Sequence, residues 1–192
     1  MIDFWRRIWL GLINQRTQGI VGPDGYTITK ELGSGYSVED ERMADVKKLM
    51  KLGQELLADP SLVSRDITAD GIPETFCNRA AAIAAREYGF DGFEGLSANQ
   101  LYTLLNRTWR KDSGERAAAF AMRGGLAFAC KQYSVHGHIA LVAPYDPEMS
   151  GSWGHKVPMV YNVGRVNAVM RASQAFPVAD GECEYFLYGE TA

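Results

Sequence analysis

The chain changes its hydrophobic period at Gly124-Gly125, and that switch restricts the architecture more than any single residue does. Upstream of it the apolar residues recur at helical spacing. Val46, Leu49, Met50, Leu56 and Leu57, with Gly53 among them, follow a cap-like Ser37 and the acidic turn Glu39-Asp40. Asp59-Pro60 ends that helix, because proline has no N–H to continue the ladder. A second helix is predicted from Cys77 through an alanine run to Tyr88, stopping at Gly89, and a third from Ser97 with Leu101, Leu104 and Leu105 inward. A fourth covers 114–122. Downstream the pattern becomes strand-like over 126–131, 139–143, 157–163 and 184–188, with turn residues between the runs. Helices first and strands afterwards predict an α+β fold, with an antiparallel sheet packed on the helix that begins at Cys77.

The chain of 192 residues and 21.2 kDa is long enough for one compact domain with a substantial core. Residues 1–70 are expected to form a helical and hairpin extension packed on a core built by 71–192. Within the extension, residues 1–13 read as an amphipathic helix with Phe4, Ile8 and Leu12 on one face and Trp5 and Trp9 on its flank. Arg6-Arg7 interrupts it, and it is too short to span a bilayer or to supply a signal-peptide core. No integral membrane segment and no export signal are therefore expected, only a soluble chain made in the cytoplasm that reaches the cell wall by lysis-assisted release or by delivery. Two short strands are predicted around Pro23-Asp24-Gly25. A net charge of −3 and a pI near 5.6 argue against nonspecific nucleic-acid binding, which needs basic surface to release counterions.

The three cysteines, Cys77, Cys130 and Cys183, are odd in number and contain no CxxC, so they make a poor disulfide framework. Cys77 differs from the others in its place at a helix start. There the unpaired backbone N–H groups and the helix dipole favour a thiolate and can donate to a developing oxyanion. His138 opens the strand 139–143 behind Gly137, which permits a tight backbone approach. Its imidazole is placed to take a thiol proton and return it to a leaving amine. A third group must hold the ring's tautomer. Asn162 on the next strand is the first candidate, with His155, Asp146 and Asn167 as alternatives.

The segments Thr75-Phe76-Cys77-Asn78, Gly125-Leu126-Ala127-Phe128-Ala129, Gly137-His138-Ile139-Ala140-Leu141-Val142 and Pro158-Met159-Val160-Tyr161-Asn162-Val163-Gly164 together resemble the papain-like cell-wall hydrolases. These are the CHAP and NlpC-type peptidoglycan amidases and endopeptidases, which include phage lysins and secreted amidase effectors. The likeness covers roughly 72–188. It implies a papain-like fold and cleavage of an amide in a peptidoglycan stem peptide, without a cofactor. The implied roles fall on Cys77 as nucleophile, His138 as base and Asn162 as its orienting partner. Two places depart from the family pattern: Phe76 and Asn78 stand where Asp and Ser are common, and Gly125-Leu126 replaces a frequent Gly-Asp.

Asn78, His136, Trp153 and His155 are the expected substrate contacts, Trp153 on the glycine-rich rim Gly151-Ser152-Trp153-Gly154 and His155 beside it. His136 and His138 at i and i+2 share one face of a strand, which leaves a metal site completed by Cys130 or Asp146 as a competing reading. No cysteine-pair or HExxH spacing supports it, and no metal is expected. The alternative from another class is a noncatalytic binding or structural protein, as in a phage particle, that keeps a hydrolase-like fold.

Overall fold

The computed structural model describes residues 38–69, 71, 73–176 and 181–189. The helix expected over 1–13, the strands around Pro23-Asp24-Gly25 and the Ser37 cap lie outside those residues. The described chain is a mixed α+β fold of five helices and an antiparallel sheet of six strands, with a separate two-stranded hairpin.

The helices are α1 (Val38–Ala58), α2 (Cys77–Glu87), α3 (Ala98–Thr108), α4 (Gly114–Ala121) and the short α5 (Ala172–Ala175). Local chemistry accounts for their ends. Asp59 accepts a hydrogen bond from the Ser61 N–H and starts a single 3-10 turn at Pro60, so α1 stops where the Asp-Pro pair predicts. Ser97 and Gln100 close a reciprocal capping box on α3. Gly89 after α2 and Gly124 after α4 take φ values of +80° and +83°, the left-handed region that glycine enters without a Cβ penalty.

The strands are β1 (Arg110–Asp112), β2 (Ala127–Lys131), β3 (His138–Val142), β4 (Glu148–Met149), β5 (Lys156–Val157), β6 (Met159–Asn162), β7 (Ala168–Arg171) and β8 (Glu184–Leu187). The large sheet runs β1-β8-β2-β3-β6-β7, and β4 pairs with β5. The stretch expected as one strand over 157–163 is two, because Pro158 interrupts it. Its ring nitrogen cannot donate to a ladder, and its carbonyl instead accepts from the Ala172 N–H at 2.9 Å.

Helix α2 packs on β3, α1 on β6, and α3 and α4 on β2. Alanines make the first contact close: Ala84 and Ala85 of α2 are fully buried, so the helix backbone lies low on the sheet. Leu49, Leu52 and Leu56 of α1 supply the bulk on the neighbouring side, and Gly53 in the same helix meets the Tyr161 ring so closely that no Cβ would fit. Consecutive residues Ala127, Phe128, Ala129 and Cys130 are all buried, so β2 is covered on both faces, which explains its unbroken apolar run. Phe90, Phe93, Trp109, Phe128 and Tyr188 form a continuous ring cluster that ties the connection after α2 to the sheet.

Candidate active site

Cys77 is the first residue of α2. Its cap position is Phe76, with no side-chain cap, so the first N–H groups of the helix are not claimed by a capping oxygen. The approach to the helix is fixed upstream by paired backbone hydrogen bonds between Arg65 and Glu74. Phe76 is buried, and the guanidinium centres of Arg65 and Arg79 stand 4.8 and 5.3 Å from its ring centroid.

The Cys77 side chain is 5 % exposed. Burial pushes its thiol above the ordinary range, against the backbone N–H groups of Ile139, Asn78 and Cys77 itself and the Thr75 side chain, which all favour the charged form. The helix start was expected to favour the thiolate, but desolvation is the larger effect and favours the neutral thiol. The Ile139 contact has geometric meaning as well: the sulfur lies against the backbone of the residue that follows His138.

Strand pairing positions the next two groups. In the β3–β6 ladder Leu141 faces Tyr161 and Val142 faces Val160. Continuing that register places Asn162 opposite Ala140, two residues along from His138 on the same face. The His138 Nε2 and Asn162 Oδ1 atoms are 2.7 Å apart. The Asn162 Nδ2 donates to the Val166 carbonyl at 2.7 Å, so its amide cannot turn over, and Oδ1 is the atom presented to the ring. Nε2 must then carry the proton and donate it. Nδ1 is left as the basic nitrogen, with no hydrogen bond among the described residues. The ring also packs on the buried Phe176, with centroids 4.9 Å apart.

Burial holds the His138 pKa below the usual histidine range, opposed in part by the Asn162 hydrogen bond. This links stability to pH. The unfolded chain takes up a proton near the ordinary value of 6.5, whereas the folded chain does so only at lower pH. The native state therefore loses stability as the pH falls through that window. Urea unfolding between about pH 7.5 and pH 5 is expected to show a steeper acid loss in wild type than in His138→Gln. Parallel profiles would contradict this origin.

Two cavities meet at these residues. One, of about 380 Å³, is lined by Cys77, Asn78, Asn99, His136 and Gly137; the other, of about 330 Å³, by His138, Asn162, Val166 and Met170. Thr75 and Arg165 line both. Asn78 faces the first cavity while its Nδ2 holds the Leu96 carbonyl at 2.8 Å. Asn99 secures the turn before His138 by bonding both the N–H and the carbonyl of Tyr133. A Cβ at Gly137 would stand 2.4 Å from the Asn99 Oδ1, so only glycine passes there.

The remaining sequence candidates lie elsewhere. Asn167 accepts from the Gly164 N–H and donates to the Leu62 carbonyl, which makes it a brace of the turn after β6. Asp146 is exposed. Trp153 and His155 were expected at the rim of the thiol's cleft, and neither lines it. Their turn is folded onto Ser150, whose Oγ accepts from the Trp153 N–H, and His155 is drawn to Glu182 at 3.0 Å beside a separate cavity. Among the described residues no cluster of three His, Cys, Asp or Glu side chains is arranged to hold a metal ion. Cys130 and Cys183 are buried in the core, where desolvation pushes the first well above the thiol range and the second to about 12.

Sequence reasoning missed four contributors: the Ile139 N–H, the Val166 carbonyl, Phe176 and Arg165. The first two are main-chain groups and leave no residue-type signal, and the last two follow only from the packing of β7, α5 and the turn before them. Comparison with known proteins finds no matching family model and no matching curated sequence.

Proposed function

We propose that the protein is a papain-like cysteine hydrolase that cleaves an amide bond in peptidoglycan stem peptides through a thioester acyl-enzyme. The observation that carries this reading is the locked His138–Asn162 pair on the strand whose Ile139 backbone meets the thiol at an uncapped helix start. A neutral thiol beside a neutral imidazole suits proton transfer during attack. As sulfur adds to the amide carbon, His138 Nδ1 takes the thiol proton, and Nε2–H keeps its bond to Asn162. The carbonyl oxygen becomes an oxyanion within reach of the free N–H groups at the start of α2. His138 then gives the proton to the departing nitrogen, the C–N bond breaks, and a thioester remains. Water, deprotonated by the same nitrogen, hydrolyses the thioester and restores the thiol.

The resemblance to cell-wall hydrolases supplies the substrate class, and the site chemistry supplies the reaction type. Purified protein is expected to release stem-peptide fragments from isolated sacculi, detected by mass spectrometry, and to stop doing so after treatment with iodoacetamide. The raised thiol pKa favours a second reading, a noncatalytic binding protein with a buried cysteine. The two readings separate on one measurement. Hydrolysis requires Cys77 to be alkylated faster than Cys130 and Cys183 near neutral pH, whereas equal, slow labelling with intact sacculi would support the binding role.

A further inference from the structure

The two cavities at the candidate site differ in chemistry, and their order follows from the reaction. His138 must protonate the departing amine, so the cavity at His138, Asn162 and Met170 receives the leaving half of the substrate. The cavity at Cys77, Asn99 and His136 receives the acyl half. Arg165 lines both, so it stands at the junction where the scissile bond must sit. It is exposed and has no ion pair or hydrogen bond among the described residues.

Among the described residues it is the one Arg or Lys lining either cavity. Among the described residues Glu74 is the one carboxylate lining either cavity, and its Oε2 already accepts from the Ile67 N–H at 2.6 Å. Arg65 and Arg79 stand against Phe76, the residue before the thiol. Resting on the hydrolase reading, we infer that Arg165 is a specificity residue. It selects an amide in which one of the two joined residues carries a free carboxylate beside the scissile bond. A guanidinium presents parallel N–H donors that match a carboxylate, which a carboxamide at the same place cannot match in charge.

Two alkylating reagents of nearly the same size test this at the thiol itself. Iodoacetate carries the carboxylate and iodoacetamide its neutral counterpart, and peptide mapping reads the rate at each cysteine. The iodoacetate-to-iodoacetamide rate ratio at Cys77, normalised to a small neutral thiol, is expected to fall about fivefold in Arg165→Gln and to recover in part in Arg165→Lys. Because Arg165 is exposed, added salt should lower the wild-type ratio as well. The corresponding substrate test compares two peptides that differ only in carboxylate or carboxamide beside the cleaved amide. Wild type should prefer the carboxylate in kcat/KM, and Arg165→Gln should not. Brisk labelling of Cys77 with a ratio indifferent to Arg165 overturns the carboxylate subsite and leaves the nucleophile standing. Labelling of Cys77 no faster than that of Cys130 overturns the nucleophile, and the subsite with it.

Discussion

Cys77→Ala is expected to lower amide hydrolysis by at least about 10⁴-fold while leaving the fold intact. On the proposed mechanism the variant lacks the atom that forms the covalent intermediate, and neither other thiol stands at this site: Cys130 is fully buried and Cys183 lines the separate cavity beside His155. The structure tolerates the change for separate reasons. Alanine is the best helix former, position 77 begins a helix already rich in alanine, and the residue lines a cavity. Cys77→Ser is the stricter test. It keeps a nucleophilic atom of similar reach, but a hydroxyl is far harder to deprotonate than a thiol, so its rate should fall nearly as far. Fragment release from sacculi and thermal unfolding, measured on the same preparations, decide the matter. Retained hydrolysis by the alanine variant with an unchanged melt would falsify the assignment.

The His138–Asn162 pair should behave as a unit. His138→Ala removes the proton carrier and is expected to cost about 10²–10⁴-fold in kcat/KM. Asn162→Ala should cost less, because the ring remains and loses only the bond that fixes its tautomer and angle. The informative variant is the double one. If Asn162 acts through His138 alone, then the Asn162 replacement adds nothing once the ring is gone, and the double variant equals His138→Ala. Strictly additive losses would show that Asn162 contributes in another way. The Asn162 change also frees the Val166 carbonyl, so unfolding should be measured for every variant before rates are compared.

Much of this architecture is readable in the residue pattern, for identifiable reasons. Helices α2, α3 and α4 have strong punctuation: Ser97 with Gln100, Gly89 and Gly124 mark their ends, and alanine or leucine marks their buried faces. Strands β2, β3 and β8 read as apolar runs because the sheet centre is covered on both sides. The edges do not read. β1 is Arg-Lys-Asp and is held by pairing with β8, and β7 has mixed exposure with no clean alternation, so pairing and not propensity makes them strands.

The site divides along the same line. Cys77, His138 and Asn162 stand out because their side chains are chemically distinctive and sit at element ends. Their relation depends on ladder register, and a shift of one residue in β6 would turn Asn162 to the opposite face. No local pattern encodes that register. That Trp153 and His155 line neither cavity has the same origin, since closeness in sequence to a histidine-bearing strand says nothing about which edge a hairpin leaves from.

β3 has a hydrogen-bonded neighbour on each side, β2 and β6, and α2 lies across it. Exposing the amides of this strand to solvent exchange therefore takes an opening far larger than the fraying of an edge. The short strand β7 is such an edge, and its Met170 stands at the border of the His138 cavity. One side of that cavity is thus built from a strand held along one edge only, whereas His138 belongs to a strand paired on both edges.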